Sequence, residues 1–162
     1  MHSEKSLGKL TLLHIDDSVE ERILVKWAIA VTNTPFQYDE ADGLESAMAY
    51  FQFQNGTPQR VPALVLLDYD MGNYTGVDFL YWLRFLKKVT SLPVVMFSGS
   101  EGRRHVAECY AAGANYFLSN PQELDALKTV VQSLHSTLLF PNEPSPILLL
   151  QEYRPVPIET TT

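Results

Sequence analysis

Apolar residues along this chain gather in short runs separated by amphipathic stretches. Five runs predict strands: 10–15, 36–41, 63–67, 93–97 and 115–118. The third is wholly apolar and bounded by Pro62 and Asp68, as expected of a strand covered on both faces. Between the runs the period changes to that of helices. Ser18 with Glu21 spells a capping box, opening a helix with Ile23, Trp27 and Ala30 on one face. Asp42 is expected to cap a second helix, whose apolar set is Leu44, Ala47, Met48 and Phe51. Helices are also predicted over 77–89, over 102–112 with Gly113 as terminator, and over 121–139. The last carries the stripe Leu124, Leu127, Val131, Leu134 and Leu138. The segment QNGTPQRVP breaks both periodicities and reads as a loop, as does the stretch flanked by Gly72 and Gly76.

Five strands alternating with five helices specify an α/β fold, a five-stranded parallel sheet doubly wound by right-handed crossovers. With strand order 2-1-3-4-5, strands one and three are neighbours at the topological switch point. Residues 141–162 hold five prolines and are expected to form an extended tail, too short for an output domain. Its ILLL patch, 147–150, is expected to dock on the domain.

Composition narrows the function classes. The 162 residues are 46% hydrophobic and 11% aromatic, enough for one domain with a real core and inconsistent with a disordered chain. A net charge of -7, with bases paired only at Arg103-Arg104 and Lys87-Lys88, argues against nucleic acid or an anionic membrane as partner. No apolar stretch approaches the roughly 18 residues of a membrane span, and the N-terminus lacks a signal-peptide core. The lone cysteine, Cys109, allows no internal disulfide and is expected to be a small buried helix residue. A cytoplasmic protein is expected.

Chemistry concentrates where two apolar runs end in carboxylates, Asp16-Asp17 after the first and Asp68 with Asp70 after the third. The strand order brings Asp16, Asp17 and Asp68 into one crevice at the carboxyl ends of the strands. Each acid alone could be a helix cap or a solvated loop residue. Ser18 competes for the cap of the first helix, so capping does not account for both Asp16 and Asp17. Three carboxylates held close repel one another, and a hard divalent cation such as Mg²⁺ is the usual remedy. Asp68 would then be free to act as an oxygen nucleophile, with Ser98 donating its hydroxyl to a transferred phosphoryl group.

In this arrangement the chain resembles the receiver domain of two-component response regulators, over residues 8–140 in unbroken order. HIDDS is similar to the family's metal-binding pair, Asp68 to its phosphoacceptor, Gly76 to the glycine eight residues beyond, and Ser98-Gly99 to its hydroxyl residue and small neighbour. AGANYFLSNP is similar to the stretch that usually reads AGADDYLTKP. The resemblance implies a flavodoxin-like (βα)5 fold in which Asp17 and Asp68 ligate Mg²⁺, Asp16 holds a metal water and the Asp70 backbone carbonyl completes the shell. It implies Ser98 and the aromatic Phe117 as switch positions, and a sensor histidine kinase or phosphotransferase as phosphodonor. Output would be contact with a downstream protein through the face of the fourth helix, fifth strand and fifth helix, where a homodimer is also allowed. The insert QFQNGTPQRVP and the long last helix are further similar to single-domain receivers paired with bacterial phytochrome-type kinases.

Two positions depart from the family. Asn120 stands where the family has a lysine, so the cation that normally pairs with phosphoacceptor and phosphate is missing. Structurally, Asn120 would instead cap the last helix with Pro121 at its first position, a reading in conflict with the cis bond the family has there. The other departure is DYDMGNYTG, in which Asp70 adds charge beside Asp68 and Gly72 replaces the usual proline. Arg103 or Arg104 could supply the missing charge, and Phe117 could be core packing alone. Two alternatives to a phosphorylated receiver remain. One is a degenerate receiver acting as a phosphorylation-independent interaction module. The other is a haloacid-dehalogenase-like phosphatase, whose DxD signature VLLDYDMG resembles.

Overall fold

The computed structural model describes residues 9–86, 89, 91–99 and 102–139. The expected tail, 141–162, and its ILLL patch lie outside them. Five strands form the central sheet: β1 (Leu10–Ile15), β2 (Phe36–Ala41), β3 (Leu64–Leu67), β6 (Val94–Ser98) and β7 (Tyr116–Ser119). All pair in parallel in the order β2-β1-β3-β6-β7. Counting only these five strands, the order is the expected 2-1-3-4-5. The helices are α1 (Val19–Val31), α2 (Leu44–Tyr50), α3 (Gly76–Phe85), α4 (Val106–Ala111) and α5 (Leu124–Leu139).

The sheet separates two cores by the alternation of strand side chains. On one face Leu13, Ile15, Val65, Leu67, Val94 and Met96 pack with Phe79, Leu80 and Leu83 of α3 and Cys109 of α4. On the other, Leu12, Leu66, Val95, Phe97 and Leu118 pack with Val25, Ala28 and Ile29 of α1 and Leu127, Val131 and Leu134 of α5. Each of the Val, Leu, Ile, Phe and Met side chains among them contributes about 1.5–3 kcal/mol when taken out of water. Both faces of β3 and β6 are covered, and every residue of the two strands is buried.

Several local expectations are corrected. The buried face of α1 is Val25, Ala28 and Ile29, while Ile23, Trp27 and Ala30 are exposed. This helix is apolar nearly all round, so periodicity alone does not choose the face. Asp42 does not cap α2 with its carboxylate; it accepts from the Ser46 hydroxyl, which itself receives the Asp42 and Gly43 backbone N–H groups. Helix α3 ends at Phe85, with Leu86 already extended, and Val89 and Leu92 enter the core from the connection. The 102–112 helix is a 3₁₀ turn over Gly102–His105 followed by α4. Helix α5 starts at Leu124, which is 48% exposed and outside the buried stripe.

The two loops hold short structure. After β3 a hairpin pairs β4 (Asp70–Met71) with β5 (Tyr74–Thr75). In the insert, Gln54 bridges Thr57 across Asn55 and Gly56, both at positive φ, the conformation a two-residue hairpin turn requires.

Candidate functional site: an acidic crevice at the strand ends

Asp16 and Asp17 follow β1 and Asp68 follows β3, and the pairing of these strands places the three acids side by side. The Asp68 N–H donates to the Ile15 carbonyl at 2.9 Å, locking the two strand ends together. One ligand oxygen from each of Asp16, Asp17 and Asp68 lies within 4.8 Å of the others. Asp16 is buried, Asp17 exposed and Asp68 between the two.

Each acid is fixed differently. Asp16 Oδ1 accepts the Ser18 N–H at 2.8 Å, and its backbone carbonyl accepts from Arg22 Nη1 at 2.7 Å. Ser18 Oγ in turn accepts the Glu21 N–H at 3.3 Å, so Asp16 and Ser18 both serve the start of α1. The Tyr69 N–H and the Ser98 hydroxyl lie near enough to the Asp68 carboxylate to favour its ionised form. Ser98 ends β6, is 3% exposed and lies close enough to Asp68 to act on it. Gly102 packs directly on it; a Cβ there would fall 2.2 Å from Ser98 Oγ. Gly76 is similarly constrained, since a Cβ would meet the Asp68 carbonyl oxygen at 2.4 Å.

Electrostatics show what the crevice lacks. Burial first, then the negative charge of Asp16 and Asp17, pushes Asp68 up from 3.8 to about 7, against the opposing pull of the Tyr69 N–H and the Ser98 hydroxyl. Asp17 is raised by desolvation and then by Asp16, with Asp70 adding to it. The charged groups acting on Asp68 are both acids, and at Asp17 Arg22 offsets them only in part, so the crevice keeps a net negative potential. An all-oxygen donor set of this kind fits a hard divalent ion, which would favour the ionised form of every member.

The other sequence-derived positions fall as follows. Asp70 begins the hairpin, exposed, with its carboxylate accepting the Gly72 N–H at 3.2 Å. Phe117 is 4% exposed and packed in the core on the α3/α4 side, its N–H donating to the Tyr110 hydroxyl. Arg103 and Arg104 are exposed on the 3₁₀ turn. Asn120 sits at the end of β7, where its N–H donates to the Ser98 carbonyl at 2.8 Å. Its side-chain amide donates to the Glu21 carboxylate on α1. The expected cap of α5 by Asn120 is not formed, because the amide is engaged elsewhere and the helix begins four residues later; the cis bond implied by the family resemblance is not found either, since no described peptide bond is cis.

Sequence reasoning placed His14 in β1 but gave it no role. It is fully buried on the α1/α5 side, edge-on to Phe97 and Tyr38. Nδ1 lies 3.0 Å from the Tyr38 hydroxyl, and Nε2 lies 3.6 Å from Asp16 Oδ2 with no hydrogen-bond partner among the described residues. An unpartnered buried polar atom costs about 1–3 kcal/mol. The only signal in the sequence was one imidazole inside an otherwise apolar run.

Comparison with known proteins agrees with this geometry. Residues 12–132 match the family described as the response regulator receiver domain. The chain is 33% identical over 127 residues to the response regulator Rre1 of Synechocystis, covering 77% of this chain and 51% of that protein. The chain spans about half the length of several curated relatives it matches. Among solved structures, the phosphorylated cyanobacterial phytochrome response regulator RcpA superposes with a TM-score of 0.71 at 21% identity, covering 85% of this chain and 99% of that one. Response regulator RPA3017, from red light signaling in R. palustris, gives 0.69 at 25% identity, with 79% and 92% covered.

Proposed function

Because the chain belongs to the response regulator receiver domain family, we propose that it accepts a phosphoryl group on Asp68 from a histidine kinase or phosphotransferase. The observation that carries this reading is the convergence of Asp16, Asp17 and Asp68 within 4.8 Å, with the Ser98 hydroxyl close enough to act on Asp68. A carboxylate oxygen of Asp68 attacks the phosphorus of a phosphohistidine. The O–P bond forms as the N–P bond breaks, and the electron pair leaves with the imidazole nitrogen. Ser98 turns its hydroxyl from the carboxylate to a phosphoryl oxygen. Asp16, Asp17, Asp68 and the Asp70 carbonyl would hold Mg²⁺, which when bound supplies positive charge against the phosphoryl oxygens.

Residues 8–140 then form the receiver and 141–162 a tail, with a cytoplasmic location in keeping with the acidic surface and the buried lone thiol. Among described residues no helix is long and apolar enough to cross a membrane. Output is contact with a downstream protein, through the face of α4, β7 and α5. That the donor is a phytochrome-type kinase rests on the sequence resemblance, and the likeness to RPA3017, a response regulator in red light signaling, is in keeping with it.

The test is acetyl phosphate or beryllofluoride with Mg²⁺. An adduct detected by mass spectrometry on the wild-type chain, and lost in Asp68→Asn, is expected. No adduct, or one that survives the substitution, overturns the reading. A second reading, the phosphorylation-independent interaction module, is favoured by one observation: the Asn120 amide is spent on Glu21 and brings no positive charge to the crevice. The phosphatase reading is not retained, since family membership is shown and the Asp70 carboxylate is used within the hairpin turn.

A further inference from the structure

The end of the sheet opposite the acids carries an apolar groove of about 350 Å³. Its origin is a mismatch of lengths. Helix α5 holds 16 residues, about 24 Å at 1.5 Å per residue, whereas β7 holds four, about 13 Å. The last turns of α5 run past the start of the strands. Leu134 and Leu138 on the helix line the groove together with Leu64 at the start of β3, Pro93 and Val95 around the start of β6, and Tyr116 at the start of β7. Leu64, Val95 and Leu134 are core residues, while Pro93, Tyr116 and Leu138 are only half-buried, so the second core is open to solvent here.

The chain leaves α5 at Leu139, directly beside this groove. Residues 140–162 lie outside the described residues, and their sequence supplies an occupant: four successive apolar residues, Ile147 to Leu150, between proline-rich polar stretches. An apolar cluster of this kind calls for a cover. Eight residues carry the chain from Leu139 to Ile147, a reach of up to about 28 Å, and Thr137 and Leu138 already line the groove. The intervening PNEPSP consists largely of turn formers, which suits a reversal of direction. Side chains of an extended segment alternate sides, so two of the four enter together. A cavity of about 150 Å³ takes one benzene-sized group, and the groove has room for two aliphatic side chains.

We propose that the segment Ile147 to Leu150 folds back and docks in this groove of its own chain, between the end of α5 and the starts of β3, β6 and β7. A tether this short holds the segment at about millimolar effective concentration, which favours it over the same segment of a second copy. Because α5 and β7 belong to the face proposed for output, the docked tail also sets what a downstream partner meets there. That consequence rests on the output reading above; the docking itself does not.

A nitroxide attached through Gln151→Cys tests this in the full chain, the native thiol of Cys109 being buried and unreactive. Methyl resonances of Leu64 and Val95 are expected to broaden, while those of Leu80 and Leu83, on the other face of the sheet, stay sharp. Adding Leu148→Ser and Leu149→Ser is expected to abolish that broadening and to lower the unfolding temperature by about 4 °C. Val156→Ser with Ile158→Ser, farther along the tail, is expected to change neither. No broadening at Leu64 and Val95, or broadening that survives Leu148→Ser with Leu149→Ser, overturns the proposal. Equal loss in the Val156→Ser and Ile158→Ser pair also overturns it, because another part of the tail would then fill the groove. Isotope-labelled chains without nitroxide are finally mixed with unlabelled chains that carry it. Sharp methyl resonances in the mixture support docking within one chain, whereas broadening there would show a second copy's tail in the groove and overturn it.

Discussion

The side-chain amide of Asn120 donates to the carboxylate of Glu21, tying the end of β7 to the first turn of α1 across the acidic crevice's rim. The position at which the family carries a lysine is thus occupied by a neutral donor already committed to an acid. Asn120→Lys restores a cation beside Asp68, and its charge-assisted hydrogen bond to a bound phosphoryl mimic is expected to tighten beryllofluoride binding about tenfold, the effect of roughly 1.5 kcal/mol. Fluorescence or calorimetric titration with beryllofluoride in Mg²⁺ measures it. An unchanged affinity would show that the new ammonium stays on Glu21.

The raised Asp68 carboxyl sets a pH dependence of stability in the absence of metal. Between pH 3.8 and about 7 the folded protein keeps the Asp68 proton while the unfolded chain has lost it. The unfolded state therefore binds fewer protons, and this group's contribution falls as pH rises through that window. Above pH 7 the full cost of ionising Asp68 beside Asp16 and Asp17 is present. Asp68→Asn removes it, so the metal-free variant is expected to melt about 4 °C above wild type at pH 8 and by roughly a third of that at pH 5. Scanning calorimetry in chelator checks both; a variant that melts lower at pH 8 would contradict the electrostatic account.

How far these features were legible in the sequence follows from the range of the interactions. Strands β1, β3 and β6 are short apolar runs whose signal is local, and the carboxylates just past two of them placed Asp16, Asp17 and Asp68 correctly once the strand order was taken. The buried face of α1 was not legible, because Ile23, Val25, Trp27 and Ile29 point to different sides of one helix and only α5 and the sheet select among them. Asn120, Pro121 and Glu123 spell a helix cap, yet the partner of Asn120 lies 99 residues earlier in the chain. His14 is of the same kind. Its meaning depends on Tyr38 in the adjacent strand, and nothing within β1 announces it.

Cys109 provides a probe of the core beneath the site. It is fully buried between α4 and the sheet, and burial followed by the charge of Glu108 pushes its thiol up to about 12. The thiolate is the reactive form, so at pH 8 the folded protein is expected to resist a thiol reagent such as 5,5′-dithiobis(2-nitrobenzoate) and react fully in denaturant. The rate under native conditions then reports opening of this core. Rapid, complete labelling of the folded chain would contradict the burial.

Gly102 tests the part played by Ser98 without altering any acid. A methyl group at this position would fall 2.2 Å from Ser98 Oγ and 2.6 Å from Ser98 Cβ, with Tyr69 Cβ at 3.3 Å on the other side. Something must shift to make room, and a shift of the Ser98 side chain takes its hydroxyl away from Asp68. Removal of one donor from a developing charge costs about 10²–10³ in rate where the donor is fully engaged, and a partial displacement should cost less. Gly102→Ala is therefore expected to slow phosphorylation by acetyl phosphate about tenfold. Mn²⁺ affinity should be little changed, because Asp16, Asp17 and Asp68 keep their strand-end positions. Gly43→Ala, where a Cβ meets nothing within 4 Å, serves as the control. Equal phosphorylation rates in Gly102→Ala and wild type would remove Ser98 from the reaction, whereas parallel loss of metal and phosphoryl transfer would place the damage in the fold of the crevice.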